Sequence, residues 1–147
     1  MRSRRILAAV AIAGAVSFGT SALAQESSYT RGNVLQVSAI DVKDGQLENY
    51  MDYLATNWKK IQELGIKEGM VVTYRVWQVQ DARAGEPELY LTVESKDFVT
   101  TAQQEAFNKK MRALLAIDQR GMDKASSDRG VMRSLAGQTQ MQELKLK

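Results

Sequence analysis

Apolar positions along the chain form patterns that predict four strands and two helices. Residues 34–42 are rich in Val and Ile and too short for a typical helix, which predicts a first strand. Residues 70–80 and 88–94 predict two further strands, joined as a hairpin by the turn-rich link 81–87. The weaker alternation of residues 138–146 predicts a fourth strand.

Two stretches with apolar residues at three- and four-residue steps predict the helices. The first helix follows Asp44, a suitable N-cap, and ends near Gly65 and Gly69. The second helix begins after Asp97 or Thr100. The apolar stripe of the first helix is Leu47, Tyr50, Met51, Leu54, Trp58, Ile61 and Leu64, and that of the second is Ala102, Ala106, Phe107, Met111, Leu114 and Leu115, with Ile117 as a further candidate.

The segment between the second helix and the last strand is rich in Gly, Ser and Asp. These residues predict a loop over 121–130, then a short helical turn over 131–135 that ends at Gly137. The resulting order, β-α-β-β-α-β, predicts an α+β, ferredoxin-like fold: an antiparallel four-stranded sheet with both helices on one face.

Alternation along the strands sorts their residues between the two faces of this sheet. The nearly all-apolar set predicts the face that meets the helices: Leu35, Val37, Ala39, Val72, Tyr74, Val76, Leu89, Leu91 and Val93. The mixed set predicts the uncovered face: Gln36, Ser38, Ile40, Thr73, Arg75, Trp77, Val79, Tyr90, Thr92 and Glu94.

Four residues of the mixed set are the candidate ligand-binding residues: Arg75, Trp77, Tyr90 and Glu94. If Val79 pairs with Glu88 in the hairpin, Trp77 faces Tyr90, and Arg75 and Glu94 become diagonal neighbours. They then form either the wall of a ligand site or a salt bridge ringed by aromatic side chains in a dimer interface. Because such a face is costly to leave in water, the sequence predicts a homodimer in which two sheets stack face to face.

The strand–helix–hairpin–helix plan resembles the dimeric α/β-barrel superfamily, which includes antibiotic-biosynthesis-monooxygenase-like and NIPSNAP-like proteins. The segment that carries the likeness best is Tyr90-Leu91-Thr92-Val93-Glu94-Ser95-Lys96-Asp97, leading into the second helix. The resemblance implies a dimeric barrel and, among the group's activities, cofactor-independent oxygenation or haem chemistry. The haem branches rely on a His ligand, which this chain lacks, and no catalytic motif of the group can be carried over.

The first 24 residues have the layout of a secretory signal peptide. Arg2, Arg4 and Arg5 precede an apolar run that ends in small residues at Ala24. We expect cleavage after Ala24 and a periplasmic or secreted protein without stable membrane insertion; the alternative is an uncleaved membrane anchor. The expected organisation is a signal peptide over 1–24, a flexible N-terminus over 25–32 and a single α/β-barrel domain over 33–147.

Composition narrows the classes of function. The full chain has 20 basic and 17 acidic residues, and subtracting the three arginines of the predicted signal peptide leaves 17 of each. The remaining chain then has no net charge, so a nucleic-acid partner is not expected. The chain contains no Cys and no His, which excludes His-dependent triads, Cys nucleophiles and disulfides. We expect no metal and no cofactor.

Three functions remain open. The first is a secreted homodimer that holds a small apolar or aromatic ligand. The second is a cofactor-independent monooxygenase or isomerase acting on an aromatic substrate, with Glu94 or Tyr90 as the base. The third is a scaffolding protein. Arg129 and Arg133, four residues apart, would share a face if their segment is helical, and they then form either an anion site near the cavity mouth or part of a solvated face.

Overall fold

The computed structural model describes residues 26–147, which form an antiparallel sheet with helices packed on one face. The predicted signal peptide and its cleavage site after Ala24 lie outside the described residues. Within the described part, no helix is both long and apolar enough to cross a bilayer.

The order of elements confirms the ferredoxin-like α+β fold. The elements are β1 (Tyr29–Val42), α1 (Leu47–Tyr53), a π-helical turn (Leu54–Trp58), α2 (Lys59–Lys67), β2 (Thr73–Gln78), β3 (Leu89–Ser95), α3 (Thr101–Leu115), α4 (Gln119–Met132) and β4 (Arg133–Leu146). The strands lie in the order β2-β3-β1-β4, and every neighbouring pair is antiparallel. The helix α4 is an addition to the predicted plan.

The hairpin of β2 and β3 has the predicted register. Trp77 lies opposite Tyr90 and Arg75 opposite Thr92. The Val79 amide donates a hydrogen bond of 2.9 Å to the Glu88 carbonyl, as the predicted pairing requires. This register places the four candidate residues on one face of the sheet.

The buried core lies between the sheet and the first helical segment. Its five members are between 1% and 7% exposed: Ile40, Tyr50, Leu54, Leu89 and Leu91. Burial of each large side chain stabilises the fold by roughly 1.5–3 kcal/mol before entropy is counted. Neither α3 nor α4 contains a buried residue, so these two helices pack less tightly.

The faces of β1 are the reverse of the prediction. Leu35, Val37 and Ala39 pair with Glu94, Thr92 and Tyr90, so they lie on the uncovered face. Gln36, Ser38 and Ile40 lie on the helix side, where Ile40 is 1% exposed. Both faces of β1 carry apolar residues, so alternation alone could not choose between two registers that differ by one residue.

The predicted loop over 121–130 is wrong, because these residues belong to α4. The Asp118 side chain caps the helix by accepting a hydrogen bond of 2.8 Å from the Gly121 amide. Partly buried residues recur at three- and four-residue steps along α4: Met122, Ala125, Arg129 and Met132. Packing of this stripe outweighs the poor helix propensity of the intervening Gly, Ser and Asp residues.

The outer strands are longer than predicted. The fourth strand is confirmed but begins at Arg133. Of the helical turn predicted over 131–135, only Val131 and Met132 are helical, at the end of α4, and Gly137 pairs with Ala39 inside the sheet. Residues 29–32, expected to be flexible, belong to β1, where Tyr29 pairs with Leu146. The pairing of β1 with β4 therefore extends over most of both strands.

The helix starts follow the prediction at one of two sites. Thr100 caps α3 in a reciprocal capping box with Gln103, one of the two predicted alternatives. The helix α1 instead begins after Gln46, whose side chain makes no capping hydrogen bond, and Asp44 lies further upstream. The π-helical turn interrupts the single long helix that the apolar stripe predicted.

Candidate functional site

The uncovered face of the sheet carries all four predicted site residues. Arg75 and Trp77 come from β2, and Tyr90 and Glu94 come from β3. Because β1 is reversed, the neighbours of these four residues are more apolar than predicted. Those neighbours are Leu35, Val37 and Ala39 on β1 and Met141 on β4.

Trp77 is the largest exposed apolar side chain on this face. Its indole Nε1 donates a hydrogen bond of 3.0 Å to the Thr92 hydroxyl on the neighbouring strand. The residue is nevertheless 51% exposed, and Met141 at the other edge is 48% exposed. Apolar side chains thus extend across this face from Trp77 on one edge strand to Met141 on the other, which suits an interaction surface.

Arg75 and Glu94 line a hollow of about 360 Å³ on the same face, together with Leu35 and Met141. The Asn33 side-chain amide donates a hydrogen bond of 2.6 Å to the Glu94 carboxylate. Arg75 forms no ion pair with any described residue, so the predicted bridge to Glu94 is not made within one chain. Trp77 and Tyr90 lie outside the hollow.

A second concave region lies on the opposite side of the sheet, between the sheet and the helices. One cavity there has a volume of about 340 Å³, and Gln36 and Gln62 contribute polar groups to its lining. An adjoining hollow of about 330 Å³ extends toward α4. The two share Trp58 and Met111 as wall residues, so together they run along the helix face of the sheet.

Two arginines and two tyrosines meet at the α4 end of this region. The Arg129 guanidinium lies 5.6 Å from the centre of the Tyr53 ring, and its Nη1 donates a hydrogen bond of 3.3 Å to the Tyr53 hydroxyl. Tyr53 stacks on Tyr50 with ring centres 6.0 Å apart. All four residues, including Arg133, line the hollow of about 330 Å³.

The phenol of Tyr50 is buried, and burial disfavours its ionised form. Burial raises the pKa of its phenol above the ordinary value, and the guanidinium of Arg133 offsets part of this effect by favouring the ionised form. The Nε atom of Arg133 is itself buried and has no hydrogen-bond partner among the described residues. A guanidinium nitrogen in this state carries an uncompensated desolvation cost.

Sequence reasoning did not find this interior region. The prediction that Trp58 belongs to the core stripe of the first helix is confirmed, because Trp58 packs against the buried core, but its side chain also lines both hollows. The spacing of Arg129 and Arg133 left an anion site open on the premise that one helical segment carries both, and that premise is wrong, because Arg133 is the first residue of β4 and both line the hollow on the helix side of the sheet. Across residues 26–147, no group of three His, Cys, Asp or Glu side chains could hold a metal ion.

Comparison with known proteins gives a likeness of shape only. No protein-family model and no curated protein matches the chain. The crystal structure of HapK from Hahella chejuensis is similar with a TM-score of 0.47 and 12% identity, covering 75% of this chain and 91% of HapK. A dimeric ferredoxin-like protein from an uncultured marine organism is similar with a TM-score of 0.44 and 16% identity, covering 80% of this chain and 98% of that protein. Both scores are low, so the fold assignment rests on the strand order and register of this chain.

Proposed function

We propose that this protein is a homodimeric α/β barrel, formed by packing the uncovered faces of two sheets together, which binds a small, partly apolar molecule inside the barrel. The observation that carries the proposal is the uncovered face itself. It bears Trp77 and Met141, about half exposed, beside the aliphatic residues of β1.

The charges on this face also favour a second copy of the chain as its partner. In a two-fold symmetric contact, the same surface of each copy faces the other. A residue away from the symmetry axis therefore meets a different residue of the partner copy. Arg75 and Glu94 are of opposite sign and lie on the same face without pairing with each other. Pairing between copies would satisfy both charges where water is excluded, and it requires no other protein.

The hollow beside Arg75 and Glu94 supplies the proposed ligand site. Its lining combines apolar Leu35 and Met141 with the polar side chains of Asn33, Arg75 and Glu94. Ligand sites typically pair apolar walls with a few polar groups that orient the ligand. A stacked second sheet would close this hollow, which is open on the single chain.

Cysteine cross-linking tests the dimer, because the natural chain contains no Cys. Ala39 lies on the uncovered face, on the inner strand β1 between Tyr90 and Gly137, and Ala39→Cys is a small change. A short bis-maleimide should convert this variant to a covalent dimer at low protein concentration. Ser126→Cys on the exposed side of α4 is the matched control and should stay monomeric on a denaturing gel. Equal cross-linking of the two variants would contradict the proposed interface.

Native mass spectrometry tests the ligand site separately. The wild-type protein is incubated with a panel of small apolar and aromatic compounds, and bound species are read from the mass of the intact assembly. Arg75→Met should lose the adducts that wild type retains. Arg83→Met in the hairpin link is the control, since that arginine is solvent-exposed and pairs only with Glu86. Adducts that survive Arg75→Met would place the ligand elsewhere.

We further propose that the protein is exported and processed after Ala24. The support is the basic start followed by a short apolar run and small residues. Expression of the full chain in a Gram-negative host, followed by N-terminal sequencing of the periplasmic fraction, should show Gln25 as the first residue. A protein that retains Met1 in the membrane fraction would contradict export with cleavage.

A further inference from the structure

We propose that Arg129 and Arg133 form an anion-binding site for a small organic acid, whose apolar or aromatic body lies along the interior cavity toward Trp58. This site is on the helix side of the sheet, opposite the proposed dimer contact. It therefore does not depend on the barrel or on the hollow beside Arg75.

The chain geometry brings the two arginines together at one point. Arg129 is in the last turn of α4, and Arg133 is the first residue of β4, which follows the helix without a loop. Both side chains line the hollow of about 330 Å³, as do Tyr50 and Tyr53 from α1. Two positive charges thus share one partly enclosed space.

The described residues contain no anion that compensates these charges. Neither arginine forms an ion pair with a described carboxylate. The Arg129 guanidinium contacts the ring and hydroxyl of Tyr53, and its position at the end of α4 suits the negative end of the helix dipole. These contacts account for Arg129 structurally.

Arg133 is explained structurally only in part: its guanidinium lies close to the Tyr50 phenol and lowers the pKa of that group, against the larger effect of burial. Its buried Nε has no hydrogen-bond partner among residues 26–147, and a buried donor in this state costs free energy. Buried polar groups without partners are uncommon in folded proteins, and strain or a functional role is the usual explanation for one. A carboxylate in the hollow offers two oxygens to the guanidinium groups that line it, so it would compensate both positive charges at once.

The rest of the cavity indicates that the acid carries an apolar body. From the arginine end, the wall continues over Met111 and Trp58 into the cavity of about 340 Å³. Trp58 is held edge-to-face against Tyr74, with ring centres 5.3 Å apart and planes at 88°. This arrangement presents a fixed aromatic surface that suits an aryl or alkyl chain.

The π-helical turn adds a second line of support. Such turns are rare, and they occur frequently at functional sites. Here the turn spans Leu54–Trp58 and ends on the residue that lines both parts of the cavity. It therefore sets the position of Trp58 relative to the two arginines, which come from α4 and β4.

Isothermal titration with three probes tests the proposal on the purified wild-type protein. The probes are 2-naphthoate, its neutral isostere 2-naphthamide, and inorganic phosphate. We expect 2-naphthoate to bind. The amide lacks the negative charge, so it should bind at least about tenfold more weakly than the acid. Equal binding of the acid and the amide, or binding of phosphate without binding of 2-naphthoate, would overturn the proposal.

Variants of the arginines locate the site. Arg133→Met should weaken 2-naphthoate binding about ten- to a hundredfold, whereas Arg120→Met, an exposed residue on the same helix, should bind like wild type. Arg133→Lys keeps the positive charge but loses the paired donors of the planar guanidinium. Its affinity for 2-naphthoate should therefore lie between those of wild type and Arg133→Met. Unchanged binding in Arg133→Met would overturn the assignment.

Thermal unfolding without any probe separates a binding role from a structural one. If Arg133 is kept for a ligand, Arg133→Met should leave the Tm unchanged or raise it, because the variant removes a partly buried guanidinium that forms no ion pair with a described carboxylate. The proposal would be overturned by a large fall in the Tm of Arg133→Met together with normal 2-naphthoate binding in Arg133→Lys and Arg129→Gln. Both arginines would then have a role in the fold alone.

Discussion

Removing the indole of Trp77 should weaken the proposed dimer strongly. The side chain is 51% exposed in the single chain. Half of a tryptophan surface of about 250 Å² is about 125 Å², and burying it contributes about 3 kcal/mol at roughly 25 cal/mol per Å². Both copies lose this contact in Trp77→Ala. The dimer is therefore destabilised by about 6 kcal/mol if the interface buries the exposed part of each indole completely, and by about 3 kcal/mol if it buries half of that part.

These energies convert to a rise in the dimer dissociation constant of between about 10²-fold and about 10⁴-fold. Sedimentation equilibrium over a wide concentration range measures the constant for wild type and for Trp77→Ala. Leu114→Ala on α3 is the matched control, since that side chain is 48% exposed but lies on a helix. A dissociation constant for Trp77→Ala equal to that of wild type would refute the reasoning, because the indole would then lie outside the contact.

Three further predictions concern the fold. Ile40→Ala should lower the free energy of unfolding by about 2–5 kcal/mol in urea titrations, because Ile40 is 1% exposed in the core; a loss below about 1 kcal/mol would contradict that placement. Thr100→Ala should cost about 1 kcal/mol by removing the capping box of α3, whereas Thr101→Ala, one residue into the same helix, should cost less. Burial raises the pKa of Tyr50, so the stability it contributes is complete below about pH 10, where the phenol of the unfolded chain stays protonated, and falls as the pH rises beyond that value. Unfolding measured between about pH 9 and about pH 11 should therefore show a steeper decline for wild type than for Tyr50→Phe, and parallel declines would contradict the assignment.

The strand–helix order and the hairpin register could be predicted because local signals agree with tertiary packing there. The strands β2 and β3 each have one apolar and one mixed face, and the turn residues between them restrict their pairing. The strand β1 lacks this asymmetry: Leu35 and Val37 on one face are as apolar as Val34 and Ile40 on the other. Its orientation depends on contacts with the core, which no local pattern contains.

The site was predictable only in part for a related reason. Arg75, Trp77, Tyr90 and Glu94 share a face because strand alternation and the hairpin register place them there. The meeting of Arg129 and Arg133 with Tyr50 and Tyr53 depends on α4, a helix whose residues have weak helix propensity and which packing stabilises. A contact between residues so far apart in the chain cannot be read from spacing alone.

Sedimentation velocity of the processed wild-type protein tests the central claim most directly. If two sheets bury their uncovered faces against each other, the protein sediments as one species of twice the subunit mass, and dilution yields monomer only at the lowest concentrations. A protein that keeps the mass of one subunit even at high concentration, with Trp77 still accessible to a soluble fluorescence quencher, would contradict the account.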